Sequence, residues 1–186
     1  MRPIYLSFYM FILFFASCDQ EVHNNMESPK LEETTTFYLI RHAEKDRSNP
    51  ENRDPELTEK GHMRADYWKE VLNQVPLTAV YSTNYKRTVQ TVTPVAEAKA
   101  LKIDLYDPDT TNLRNWSQKH KGQHVLVVGH SNTTPALVNQ LMGTEKYPDI
   151  DDSNNGNLYI VQYLAGEARP IILHPEPICS PHTDQP

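Results

Sequence analysis

Arginine and histidine side chains follow short apolar runs of this sequence, where a strand would reach the protein surface. Arg41 and His42 come directly after Phe-Tyr-Leu-Ile, and His130 follows Val-Leu-Val-Val-Gly. Arg87 comes shortly after the run Ala-Val-Tyr-Ser. Arginine can donate two parallel hydrogen bonds to phosphate oxygens, and a neutral histidine nitrogen can attack phosphorus. The combination indicates that the protein binds a phosphate group and transfers it.

Apolar runs of this kind alternate with longer amphipathic segments from residue 36 onward, which is typical of alternating strands and helices. The predicted strands are 36–41, 78–82, 102–107 and 124–130, and the predicted helices are 57–75, 85–101 and 132–143. Two final apolar runs separated by Ala-Gly-Glu-Ala predict a hairpin. We therefore predict an α/β fold, a three-layer sandwich in which helices flank a mostly parallel central sheet with an antiparallel edge.

Local signals support the predicted helices. The first helix has an apolar stripe at four-residue spacing, formed by Met63, Tyr67, Val71 and Val75. Asn84 and Asn132 are predicted N-caps of the next two helices, and Gly143 is a predicted stop. Segment 108–122 carries no clear pattern, and we predict a loop there.

The predicted topology brings the polar residues together. In open α/β sheets, ligands bind in the crevice beyond the carboxyl ends of the parallel strands. Arg41, His42, Arg87 and His130 are all expected on that edge. The helix predicted after His130 adds backbone N–H donors there, with Ser131 and Asn132 as further phosphate-binding candidates.

Three segments resemble, in order and rough spacing, the signature segments of the histidine phosphatase superfamily, also called phosphoglycerate mutase-like: "YLIRHAEK", "YSTNYKRTVQT" and "LVVGHSN". "LTEKGHMRA" resembles that family's Leu-Thr-x-x-Gly segment. The resemblance covers roughly residues 36–165 and is to short members of the phosphohistidine phosphatase kind. It implies the phosphoglycerate mutase-like fold and a phosphatase that uses no metal and no other cofactor.

The resemblance also implies roles for individual residues. His42 would be the nucleophile that becomes phosphohistidine, and Arg41, Arg87 and His130 would surround the phosphoryl oxygens. Water would then release the phosphate. The substrate would be a small phosphorylated molecule, either a phosphate monoester or a phosphohistidine.

The sequence departs from the family pattern in two places. Ala43 stands where the family usually has glycine, and no clear acid is present to protonate the leaving group. Asp107 is our first candidate for that acid and Asp109 the second, although "DPD" is also a common turn sequence. The charged loop 44–56 could fold over the pocket, with Lys45 or Arg47 as an added phosphate contact.

Two other functions fit the same segments. A non-catalytic protein could bind a phosphorylated ligand without hydrolysing it, and a phosphomutase of the same fold would return the phosphoryl group to its substrate. All four pocket residues are present, which favours an enzyme over a non-catalytic binder. A short, exported chain favours a phosphatase over a mutase.

The N-terminal region predicts export and membrane anchoring. Residues 1–17 have the apolar core of a signal peptide, and small residues before Cys18 resemble the lipobox of bacterial lipoproteins. We therefore predict a lipid on Cys18, a membrane-anchored protein facing the periplasm or cell envelope, and a polar tether over 18–35. The phosphatase domain is predicted at 36–175, followed by an irregular tail at 176–186.

Charge and the remaining motifs exclude other classes. The net charge of −6 argues against nucleic-acid binding, which needs a basic face. With Cys18 lipidated, Cys179 has no partner for an intramolecular disulfide. Segment 149–155 lacks the spacing of a calcium-binding loop, so we predict a solvated turn. Four further histidines are predicted at the surface or at edges: His62, His120, His124 and His174.

Overall fold

The computed structural model of the chain describes residues 33–175. The predicted signal peptide, Cys18 and the tail from residue 176 lie outside the described residues. No helix within 33–175 has the length and apolar character needed to cross a bilayer.

Strands and helices alternate along the described chain. The strands are β1 (Thr35–Arg41), β2 (Leu77–Thr83), β3 (Ile103–Tyr106), β4 (His124–Gly129), β5 (Leu158–Leu164) and β6 (Glu167–Leu173). The helices are α1 (Glu59–Val71), α2 (Lys86–Ala98), α3 (Leu113–Lys119) and α4 (Thr133–Met142).

All six strands form one sheet in the order β3-β2-β4-β1-β5-β6. The pairs among β3, β2, β4 and β1 are parallel, whereas β5 pairs antiparallel with both β1 and β6. The hairpin turn places Ala165 at φ 49° and Gly166 at φ 89°. The predicted α/β class, with its mostly parallel sheet and antiparallel edge, is confirmed.

Both faces of the sheet are covered, as β1 illustrates. Phe37 and Leu39 point into a core that includes Leu113 of α3 and Leu137 of α4. Their neighbours Tyr38 and Ile40 belong to a second core with side chains of α1 and α2. The chain moves outward from β1 to β3 and then returns to β4, so right-handed crossovers place α1 and α2 opposite α3.

Helix α1 packs through a face that matches the predicted stripe only in part. Its buried residues include Gly61, Ala65 and Trp68, whereas Met63 is 55% exposed. The reason lies at Gly61, where a Cβ atom would stand 2.2 Å from the carbonyl oxygen of Glu44. Only glycine allows this approach, and it fixes which side of the helix faces inward. Of the predicted stripe, Val71 and Val75 are partly buried against the second core, whereas Met63 is exposed, so the prediction is wrong at the start of the helix.

The helix ends differ from prediction at several points. Thr58 caps α1 by accepting a hydrogen bond from the Gly61 N–H. Tyr85 rather than Asn84 is the N-cap residue of α2, and its side chain makes no cap bond. Gly143 ends α4 at φ 70°, as predicted. Helix α3 was missed because it is only 7 residues long, too short for a periodic pattern.

The two faces of α1 can be separated by mutation. Because Trp68 is fully buried, we expect Trp68→Ala to lower the free energy of unfolding by about 3–5 kcal/mol. The exposed Met63 serves as the matched control, and Met63→Ala should change it by no more than about 0.5 kcal/mol. Urea unfolding measures both values. An equal cost for the two variants would mean that the Met63 side of α1 is packed as tightly as the Trp68 side.

Candidate active site

A cavity of about 600 Å³ opens at the carboxyl ends of the parallel strands. Apart from Arg47, its lining contains every site residue that the sequence predicted within the described range. These are Arg41, His42, Lys45, Arg87, Asp107, Asp109, His130, Ser131 and Asn132. The structure thus brings together residues that lie up to 91 positions apart in the sequence.

His42 is held on both sides by the ends of neighbouring elements. Its N–H donates to the carbonyl of Gly129 at the end of β4, 2.9 Å away. Its carbonyl accepts a 2.8 Å hydrogen bond from Nδ2 of Asn155. Ring nitrogen Nδ1 lies 2.7 Å from the carbonyl oxygen of Ala43. Because a carbonyl only accepts, Nδ1 carries the hydrogen, and Nε2 keeps a lone pair.

The electrostatic surroundings keep the His42 ring neutral. Burial lowers the pKa of His42 to about 3, and the positive charges of Arg41 and Arg87 act in the same direction. The hydrogen bond to Ala43 opposes this shift without overcoming it. A neutral ring with a free Nε2 lone pair is the nucleophilic form of histidine.

Ala43 replaces the usual glycine without strain. Only Ala100 and Ala165 have positive φ among the described non-glycine residues, so Ala43 has an ordinary backbone conformation. Its N–H donates to Oγ1 of Thr91 on α2, at 2.8 Å. The methyl group is fully buried. The position requires a small residue here, and it does not require glycine.

Arg41 is 2% exposed and is held from one side. Its Nη1 donates to the carbonyls of Asp151, Asp152 and Asn154, and its Nη2 lies 2.6 Å from Oδ1 of Asp152. Its buried Nε has no hydrogen-bond partner among residues 33–175. Segment 149–155 is a largely exposed turn, as predicted, but its carbonyls also hold a buried arginine.

Arg87 and His130 are in contact. Nη2 of Arg87 lies 3.4 Å from Nδ1 of His130, and Nε2 of His130 lies 3.0 Å from Oγ1 of Thr83. Because arginine only donates, Nδ1 of His130 accepts, and Nε2 carries the hydrogen. Burial, then the charges of Arg87, Arg41 and Lys45, lower the pKa of His130 to about 4.

The rings of His42 and His130 are 5.5 Å apart between centroids. The ring of Tyr85 packs edge-on against His130 at 5.1 Å, and the Arg87 guanidinium lies 4.3 Å from the Tyr85 ring centroid. Nε of Arg87 is buried and has no hydrogen-bond partner in the described part of the chain. The pocket therefore holds two arginines, each with an unused donor, beside two neutral imidazoles.

The loop after His42 contributes one of its two predicted cations to the pocket. Lys45 lines the cavity, and burial, Arg87 and Arg47 lower its pKa. Arg47 is not part of the lining, and its Nη2 pairs with Oδ1 of Asp152 at 2.8 Å. The loop is anchored by Glu44, whose carboxylate accepts hydrogen bonds from Arg64 of α1 at 2.9–3.0 Å.

The segment Asp107-Pro108-Asp109 is both a turn and part of the pocket. Oδ1 of Asp107 accepts a hydrogen bond from the Asp109 N–H at 3.0 Å, as expected for a turn. Both aspartates also line the cavity. The sequence offered two interpretations of this segment, a turn and a source of the general acid, and the structure is compatible with both. Within 33–175, no group of three or more His, Cys, Asp or Glu side chains is arranged to hold a metal ion.

Sequence reasoning missed several residues of the site. Thr83 and Tyr85 flank the predicted Asn84 and could have been found by the strand-end rule. Asp152 and Asn155 could not, because they lie more than 100 residues from Arg41 and His42, which they contact.

The predicted surface placement of His120 is wrong. Its side chain is buried, and Nε2 lies 2.8 Å from the hydroxyl of Tyr81. His120 therefore packs in the interior beside Tyr81 and is not part of the cavity lining.

Comparison with known proteins gives matches at the level of sequence and of fold. Residues 37–108 match the sequence model of the histidine phosphatase superfamily (branch 1). The chain is 31% identical over 116 residues to phosphoserine phosphatase 1 of Hydrogenobacter thermophilus. That match covers 60% of this chain and only 46% of the relative, so it spans about half of that protein's length.

Solved structures with the same fold include three phosphatases. The protein histidine phosphatase SixA complexed with tungstate has a TM-score of 0.61 and 16% identity, with 75% of this chain and 96% of that chain covered. A mycobacterial glucosyl-3-phosphoglycerate phosphatase has a TM-score of 0.58 and 15% identity, covering 77% and 100%. A mutant phosphoserine phosphatase of Entamoeba histolytica, in complex with phosphoserine, has a TM-score of 0.58 and 14% identity, covering 74% and 94%.

These matches agree with the geometry of the pocket. Segment 37–108 contains most of β1, the loop after His42 and Arg87, which are the parts of the chain that build one half of the cavity. This segment carries the sequence signature of the histidine phosphatase superfamily, and the described domain has that superfamily's α/β fold.

Proposed function

We propose that the protein is a metal-independent phosphatase of the histidine phosphatase superfamily, with His42 as the phosphoryl acceptor. The observation that carries the proposal is the His42 ring, whose Nδ1 is bound to a carbonyl while Nε2 keeps a lone pair in a pocket with Arg41 and Arg87. The substrate is a small phosphate monoester or a phosphohistidine.

In the first step, the Nε2 lone pair of His42 attacks phosphorus. The bond between phosphorus and the leaving group breaks, and the leaving atom takes the electron pair. The ring gains positive charge in this step, which the carbonyl of Ala43 stabilises through Nδ1–H. Arg41 and Arg87 bind the phosphoryl oxygens, and the buried, unpartnered Nε atoms of both arginines are suitable donors. His130 joins them by exchanging the hydrogen bond of its Nε2–H from Thr83 to a phosphoryl oxygen.

In the second step, water attacks the phosphorus of phosphohistidine. The bond from Nε2 to phosphorus breaks, its electron pair returns to the ring, and inorganic phosphate leaves. The low pKa of His42 favours this step, because the ring departs in its neutral form. Phosphoryl transfer needs little besides positioning and charge stabilisation, which this pocket offers.

The leaving group of an ester needs a proton, and Asp107 and Asp109 at the cavity edge are the proposed donors. Lys45, Ser131 and Asn132 are proposed as further contacts to the phosphate or its leaving group. A phosphohistidine substrate needs no such acid, because imidazole leaves readily.

We also propose that the domain acts at a membrane surface. The apolar N-terminal run and the small residues before Cys18 support export and lipidation, and the polar segment after Cys18 would let the domain reach substrates near the cell envelope.

The proposed intermediate can be tested with the full chain kept in detergent. We expect brief incubation with a ³²P-labelled acyl or aryl phosphate to label the protein with an acid-labile, base-stable phosphate, as expected of phosphohistidine. His42→Ala should abolish both the label and phosphate release, whereas His62→Ala, at an exposed position, should keep both.

The alternatives give different results in the same experiment. Phosphate binding without label or turnover would identify a non-catalytic binder. Return of the label to an added phosphate acceptor in preference to water would identify a mutase. Equal label in wild type and His42→Ala would remove His42 as the acceptor.

The acid can be located by varying the leaving group. An alkyl phosphate needs protonation of its leaving oxygen, whereas p-nitrophenyl phosphate needs little. We expect Asp107→Asn to lower kcat for the alkyl ester by about 100-fold and for the aryl ester by less than about threefold. The same contrast in Asp109→Asn instead would assign the role to Asp109. Equal, small effects in both variants would mean that neither residue donates the proton.

The lowered pKa values of the two pocket histidines predict how their charge and the stability of the fold depend on pH. A histidine in the unfolded chain takes up a proton near a pH of about 6.5, but the folded pKa values of His42 and His130 are about 3 and about 4. Their rings should therefore show no titration in NMR spectra between about pH 8 and about pH 5.

The sign of the stability effect follows from the same values. As pH falls below about 6.5, the unfolded state binds protons that the folded state does not, so the free energy of unfolding decreases. His42→Ala and His130→Ala assign the ring signals. A midpoint near a pH of about 6.5 for either assigned ring would contradict the buried, neutral state.

A further inference from the structure

The guanidinium of Arg41 has two edges that can bind an oxyanion. The terminal edge consists of Nη1 and Nη2, and the side edge consists of Nε and Nη2. Acceptors of the turn 151–154 fill the terminal edge, since three carbonyls bind Nη1 and the Asp152 carboxylate binds Nη2. Within the described chain, Nε has no acceptor, and Nη2 has only one acceptor for its two hydrogens.

This arrangement leaves the side edge for a ligand. Arg41 lines the catalytic cavity, and its charge acts on both His42 and His130. An arginine edge of two parallel N–H donors matches two oxygens of a phosphate. A long side chain can rotate, so the terminal contacts determine which edge is offered.

Within residues 33–175, only one of these contacts to Arg41 comes from a side chain, and that side chain is Asp152. Its Oδ1 is 2.6 Å from Nη2, a short charge-assisted distance, and the same oxygen accepts from Arg47 at 2.8 Å. The Asp152 side chain is 68% exposed and lies on a turn, so it is not needed to fill the core.

We infer that Asp152 is a positioning residue for the proposed reaction: by binding the terminal edge of Arg41, it holds the Nε edge ready for the phosphoryl oxygens. The inference depends on the proposed function only for its effect on turnover. Its effect on phosphate binding can be measured independently.

Asp152 does not serve as the missing acid, although it lines the cavity. The hydrogen bonds from Arg47 and then Arg41 lower its pKa to about 2, so the carboxylate carries no proton at neutral pH. Its negative charge also works against the binding of a phosphate. A residue with this cost at the edge of a phosphate pocket is best explained by the orientation that it imposes on Arg41.

The test compares two variants of the full chain that lose the same charge. Asp152→Asn keeps an oxygen that can accept from Nη2, and Asp152→Ala does not. We expect kcat/KM for p-nitrophenyl phosphate to be about tenfold lower in Asp152→Ala than in Asp152→Asn. Inorganic phosphate, titrated by calorimetry at fixed ionic strength, should bind about tenfold more weakly to Asp152→Ala than to Asp152→Asn. The number of phosphate sites per chain checks that both variants are folded.

Other outcomes would overturn the inference. Equal kinetics and equal phosphate affinity in the two variants would mean that the hydrogen bond to Arg41 has no effect. A higher kcat/KM in Asp152→Ala than in Asp152→Asn would mean that the hydrogen bond from Arg41 to residue 152 slows the reaction.

Arg47→Ala tests whether Asp152 acts through the other arginine. This variant leaves the contact between Asp152 and Arg41 in place. It should lower kcat/KM and phosphate affinity much less than Asp152→Ala does. A loss of kcat/KM as large as that of Asp152→Ala would show that Asp152 acts by holding loop 44–56 in place through Arg47.

Turnover by the wild type separates the two proposals. If wild type releases no phosphate from any ester, the proposed function fails, and the phosphate affinities of Asp152→Ala and Asp152→Asn alone decide the role of Asp152.

Discussion

The parallel pairing of β1 with β4 is the constraint on which the site depends. The register places Arg41 opposite Gly129, and the hydrogen bond from the His42 N–H to the Gly129 carbonyl continues this pairing by one residue. A one-residue shift of a strand moves each side chain to the other face of a sheet. Such a shift would separate Arg41 and His42 from His130, so the register determines whether a pocket exists.

Close packing at the end of β4 reinforces this register. A Cβ atom at Gly129 would lie 2.8 Å from Oγ1 of Thr133 and 2.9 Å from the hydroxyl of Tyr106. The absence of a side chain lets α4 and the Tyr106 side chain approach the end of β4. Gly61 has the same role on the opposite side, where α1 contacts the loop that follows His42. Two glycines thus allow helices on both faces of the sheet to close around the strand ends.

The pocket concentrates positive charge on a protein whose net charge is −6. After burial, which is the larger cause, the charges of Arg41 and Arg87 lower the pKa of Lys45 and help to keep both histidines neutral. Acidic groups at the rim partly balance the two arginines: Asp152 binds Arg41, and Asp54 lies 3.9 Å from Arg87. The arrangement favours a bound dianion, which would meet unused donors on both arginines.

The sequence by itself determined the fold class and the meeting of Arg41, His42, Arg87 and His130 at the pocket, because a parallel strand ends where its apolar run ends and all such ends lie on one edge. It also identified the small residue at Ala43 as a departure from the family pattern. Only the tertiary structure decided the packing face of α1, the burial of His120 and the contacts of Arg41 with Asp152. Those features depend on close approaches between segments distant in the sequence, and local periodicity carries no information about them.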